Sequence, residues 1–116
     1  MHDSRTKIVP AASARTLLAS RAVVAAYFDP MVATHTARLQ ELAAEYGSLA
    51  ICICDPPDPL LSAHARAELA AACRDVDLVI IGEAALPAAA IVIDERQADL
   101  DRRAALIRHV HSRQNG

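Results

Sequence analysis

At 116 residues the chain has room for one compact core and not for two domains of ordinary size, so 1–116 is read as a single domain. Hydrophobic residues make up 53% of it but aromatics only 3%, which calls for a core of Ala, Leu, Val and Ile between closely approaching layers, as where helices lie on a sheet. A net charge of −2, with no Lys/Arg cluster interleaved with aromatics, excludes a basic nucleic-acid-binding face, and no apolar run nears the ~20 residues of a membrane span.

The polar start, residues 1–10, lacks the pattern of a secretory signal, so a cytoplasmic location and no membrane partner are expected. Residues 11–20 place Ala14, Leu17 and Leu18 at helical spacing and predict a short helix. Residues 22–27 form a continuous apolar run with two valines, suited to a strand covered on both faces. From 33 to 46 the residues His35, Leu39, Leu42, Ala43 and Tyr46 recur on one helical face, and Gly47 stops that helix. A second strand is expected over 48–54, then a stiff loop over 55–59 holding Pro56, Pro57 and Pro59.

Ser62 is a good N-cap for a helix reaching Arg74, with Ala65, Leu69, Ala72 and Cys73 toward the core. Residues 77–81 and 90–93 read as a third and a fourth strand. Residues 98–113 read as a last helix with Leu100, Ala104, Ile107 and Val110 inward. Cys52, Cys54 and Cys73 are odd in number and set in apolar surroundings, which predicts reduced, buried thiols. With His64 they lack the usual zinc spacings, so packing rather than metal accounts for them.

Strands alternating with helices over short connections predict an α/β fold. Its form is a Rossmann-like three-layer α/β/α sandwich with a short parallel sheet. Ligands of such sheets gather at the carboxyl ends of the strands, here formed by residues 28–35, 55–59 and 82–86. No Gly-rich phosphate loop is present, since the only glycines are Gly47, Gly82 and Gly116. The histidines and arginines near the chain end, Arg108, His109, His111 and Arg113, suit the negative end of a helix dipole.

Within residues 23–39, Phe28, Asp29, His35 and Leu39 are spaced as in the cytidylyltransferase-like nucleotidyltransferases, whose first strand ends in Gly-x-Phe-Asp and leads to His-x-Gly-His. Lys7-Ile8, the Arg66 helix with Leu69-Ala70-Ala71, and residues 75–81 extend the resemblance to the adenylyltransferase domain of ADP-heptose synthases; glycerol-3-phosphate cytidylyltransferases are similar too. The resemblance implies a nucleoside triphosphate held at Phe28, Asp29, Thr34, His35 and Arg66, with His35 catalytic, and Mg²⁺ if the site is active. It implies a homodimer as well.

The departures are large. Val32 stands at the first histidine of the motif, Thr34 at its glycine and Ala26 at the first Gly. The segment 55–59 offers no cation, and Asp94, Glu95, Asp99 and Asp101 crowd the start of the last helix, where they repel phosphate. Losing one preorganised donor costs about 10²–10³ in rate. Three readings follow: a nucleotidyltransferase-like domain with impaired catalysis that binds a nucleotide or phosphorylated metabolite; an active enzyme moving CMP or AMP to a small phosphorylated substrate; or a structural, oligomerising module.

Overall fold

The computed structural model describes residues 4–10, 18, 21–82 and 91–115, with side chains to Arg113. Among these residues four strands form one sheet: β1 (Ala22–Ala26), β2 (Leu49–Ile53), β3 (Val76–Ile81) and β4 (Ile91–Asp94). Three helices accompany them, α1 (Ala33–Tyr46), α2 (Ala63–Ala71) and α3 (Arg96–Asn115), and a 3-10 turn covers Ser4–Lys7. Every strand pairing is parallel and the order is β3-β2-β1-β4, so the chain has a Rossmann-like α/β fold.

The register follows from burial. Every residue of β1 and of β2 is buried, as continuous apolar runs must be when both faces of a sheet are covered. Ala22, Val24 and Ala26 of β1 share one face with Leu49, Ile51 and Ile53 of β2, because side chains alternate along a strand. Over this face lie Leu39 and Leu42 of α1 and Ala67, Ala70 and Ala71 of α2. The alanines let the α2 backbone come close to the sheet without leaving voids. On the opposite face Val23, Ala25, Ala50, Cys52, Leu78 and Ile80 are equally buried, with Leu18 wholly enclosed among them and Val9 alongside. The Val9 N–H donates to the Val79 carbonyl (2.9 Å), so the N-terminal segment occupies the outer edge of β3.

Several expectations need correcting. The helix predicted over 11–20 lies outside the described residues apart from Leu18. In α2 the inward face is rotated: Arg66, Ala67, Ala70 and Ala71 are buried while Leu69 is 40% exposed and Ala72 faces solvent. Arg66 stands on this buried face, its guanidinium donating to the Tyr27 and Cys54 carbonyls at the strand ends. Helix α2 also stops at Ala71 rather than Arg74. Tyr46 is exposed, and α1 meets the sheet through His35, Leu39 and Leu42 with Ala43 beside them. Of the cysteines, Cys52 and Cys54 are buried, whereas Cys73 is only partly buried.

The last helix departs furthest. Only Glu95 separates β4 from α3, which starts at Arg96 rather than Ala98. Its residues Asp99, Arg102 and Arg103 make polar contacts with the body of the protein, while Ile107 and Val110 are 40% and 43% exposed. Its contacts are with strand ends and loops: Tyr27 and Phe28 after β1, then Pro57 and Asp58 after β2. Helix α3 therefore lies along the carboxyl edge of the sheet, beside the switch point between β1 and β4.

Candidate functional site

Where β1 ends, its backbone N–H groups leave the sheet ladder and need other acceptors. Those of Tyr27 and Phe28 donate to Asp99 Oδ2, at 2.9 and 3.4 Å. Phe28 holds φ at 49°, a left-handed conformation that a non-glycine residue adopts at a cost of about 1–2 kcal/mol. That conformation accompanies the sharp turn that brings both N–H groups to one oxygen.

Helix α1 begins a few residues later. Its N-cap, Val32, has no side-chain acceptor to offer, and His35 supplies the compensation from the third helical position. His35 Nδ1 accepts from the Val32 N–H at 2.9 Å. Because Nδ1 accepts, the proton of the neutral ring sits on Nε2. Nε2 lies 2.9 Å from Asp99 Oδ1, close but without the alignment of a fully formed hydrogen bond. The Phe28 ring meets the imidazole edge-on, with centroids 5.3 Å apart. His35 is 3% exposed, so the ring is closed off from solvent.

Asp99 is thus the centre of the site. Arg102 Nη1 donates to its Oδ1 at 2.7 Å while Nη2 approaches Glu95, which in turn accepts from Arg38 Nε at 3.0 Å. Burial by itself pushes the Asp99 carboxyl up. The contact with His35, the Tyr27 N–H and the hydrogen bond from Arg102 outweigh it and hold the group below the usual carboxylate range. Asp99 is an ionised carboxylate set among backbone N–H groups, an imidazole and a guanidinium. Those are the donors that phosphate sites use.

Asp29 and Arg66 are committed in the same way. Asp29, 3% exposed, accepts from the N–H groups of Leu60 and Leu61, each at 2.7 Å, and so fixes the segment leading into α2. Arg103 Nη1 stands 3.6 Å from it. The Arg66 guanidinium, 1% exposed, donates to the carbonyls of Leu61 (3.1 Å), Tyr27 (3.3 Å) and Cys54 (2.6 Å) and to Asp55 (2.8 Å). It ties the ends of β1 and β2 to the loop that follows. Of the residues singled out in the sequence, Phe28, Asp29, His35 and Arg66 converge at this edge, and Thr34 stands apart on the exposed side of α1.

Sequence reasoning placed Asp99 among carboxylates that stabilise the helix start and repel an incoming phosphate, with Arg102 and Arg103 solvated or paired with Asp99; the structure pairs Arg102 with it, while Arg103 donates to the Pro57 and Asp58 carbonyls. The signal for Asp99 was positional: a carboxylate in the first turn of a helix that leaves the sheet directly beside β1. His109 and His111 are exposed on the far part of α3 and do not join the site.

The class defined by this arrangement is a parallel α/β domain whose ligand edge is occupied by its own side chains. Compared with protein-family models the chain matches none, and compared with curated proteins it matches none either. The donor set also fails to suit Mg²⁺. Both oxygens of Asp29 and of Asp99 already face N–H donors, and no group of three His, Cys, Asp or Glu residues suited to a metal occurs among the described residues.

Proposed function

We propose that the chain is a nucleotidyltransferase-like domain with impaired catalysis, whose phosphate position is held by its own Asp99. The observation that carries this reading is the seat of that carboxylate on the Tyr27 and Phe28 N–H groups, His35 and Arg102. A nucleotide or phosphorylated metabolite would have to displace it, giving up four contacts to regain similar ones, so net affinity is low. His35 keeps the family's position, but its two nitrogens are turned to Val32 and Asp99. The absence of a second histidine at Val32 removes the donor that would work with it.

The test is calorimetric titration of CTP and of ATP, each with Mg²⁺, into the purified chain. The expected result is no saturation up to millimolar ligand and no release of pyrophosphate with glycerol phosphate or a sugar phosphate as acceptor. Submillimolar saturation accompanied by pyrophosphate release would overturn the reading in favour of an active CMP- or AMP-transferring enzyme.

A further inference from the structure

The sheet has two outer edges, at β3 and at β4, and only one of them is covered within the described residues. Along β3 the N-terminal segment adds a parallel bridge at Ile8, with the Val9 N–H on the Val79 carbonyl. No described residue pairs with the outer side of β4. The Glu95 N–H donates to the Ala25 carbonyl at 2.9 Å, and in a parallel ladder every second residue bonds the same neighbour. Ile91 and Ile93 therefore turn their main-chain groups to β1, and Val92 and Asp94 turn theirs outward.

The side chains at this edge are apolar and uncovered. Ile91 is 58% and Val92 42% exposed, on opposite faces of the strand, and Ile93 is only half-buried against the cluster under α1 and α2. Sheets protect such an edge with a lysine, a proline or a bulge, and residues 91–94 carry none, their register with β1 being regular throughout. Their one charge, Asp94, is held by Arg96.

The main chain decides what fits there. Outward N–H and C=O groups at strand spacing form a row of alternating partial charges, complementary to another extended backbone. The neighbouring side chains set the kind of strand, with apolar residues on one face beside Ile91 and Ile93 and on the other beside Val92. A second copy of this chain is a poorer occupant. The two-fold register that engages Val92 and Asp94 of both copies sets each Asp94 carboxylate beside the other copy's Val92.

We infer that the outer edge of β4 takes an extended, mainly apolar segment of another protein as an added strand. Only two residues offer main-chain groups, so the contact is small and transient. It is independent of whether the ligand edge is active. The probe is the peptide Lys-Val-Thr-Val-Thr-Val-Thr-Lys, titrated to millimolar while amide exchange is followed in the isotope-labelled chain. In the free chain the Ile93 and Glu95 amides should exchange slowly and those of Val92 and Asp94 fast. The peptide should slow Val92 and Asp94 severalfold and leave Ile93 and Glu95 unchanged, and its counterpart N-methylated at every valine and threonine should do neither. Val92→Pro removes an N–H that the sheet does not use, so the fold is kept and peptide affinity falls about fivefold or more. No slowing at Val92, equal action of the N-methylated peptide, undiminished binding to Val92→Pro, or a Val92 amide already protected in an assembly of two chains would each overturn the inference.

Discussion

Replacing Asp99 by Ala removes one acceptor from two backbone N–H groups, an imidazole and a guanidinium at once. Leaving such donors buried costs about 2–4 kcal/mol. The same vacancy creates an anion site. Inorganic phosphate or sulfate at tens of millimolar is therefore expected to raise the thermal midpoint of Asp99→Ala by several degrees while leaving the parent chain unmoved, since an anion that binds only the folded state stabilises it. Thermal unfolding with and without phosphate checks this, and an equal response from both chains would remove the phosphate-like role of Asp99. Arg66 shows why a residue's type misleads. An arginine near a nucleotide edge suggests phosphate, yet this one is taken up by three backbone carbonyls and by Asp55.

At the scale of elements, helix ends decide much of what the site looks like. Helix α1 starts at a valine and depends on His35 for its cap, which is one reason the imidazole is turned inward. It ends at Gly47, whose φ of +83° is open to glycine and strained for any other residue, and whose N–H donates to the Ala43 carbonyl. A Cβ there would meet nothing within 4 Å. The expected loss for Gly47→Ala is accordingly the backbone term alone, about 1–2 kcal/mol in urea unfolding, with no change in site geometry. Helix α3 makes the complementary point. Its apolar pattern predicted a helix packed through Leu100, Ala104, Ile107 and Val110, and the helix forms, but the side chains facing the protein are Asp99, Arg102 and Arg103. Periodicity located the helix, whereas polar contacts at the strand ends chose the face.

For the whole molecule, the titrating groups set a window of stability. Asp99 has its folded value below the unfolded one, and Asp94 is held at about 2 by its hydrogen bonds from Arg96. In both cases the unfolded chain binds the proton more readily, so their contribution is complete above roughly pH 4–5 and is lost as pH falls through the folded values. Burial raises the Cys73 thiol against the opposing charge of Lys7, with Asp75 adding to the rise. The folded chain then keeps that proton longer, and stability is lost as pH rises above the ordinary thiol range. Urea midpoints should fall on the acid side below about pH 4–5 and on the alkaline side above the ordinary thiol range. The acid limb should be shallower in Asp99→Asn, and an unchanged acid limb would count against Asp99 as its main source.

Read from the sequence alone, the parallel α/β fold, the strands at 22–27 and 48–54, the helix over 33–46 and the Ser62 cap were all accessible, because they rest on local periodicity and capping chemistry. The placing of Phe28, Asp29 and His35 at the carboxyl edge was accessible too, since the topology of a parallel sheet brings those positions there, whereas Arg66 entered only through the resemblance. Only the tertiary structure decided what those residues touch. Hydrogen-bond partners at strand ends come from segments about 70 residues apart, as Asp99 is from Tyr27, and no local pattern encodes such a distance. The carboxylate that fills the site and the polar face by which α3 meets the strand ends both follow from satisfying buried donors in three dimensions.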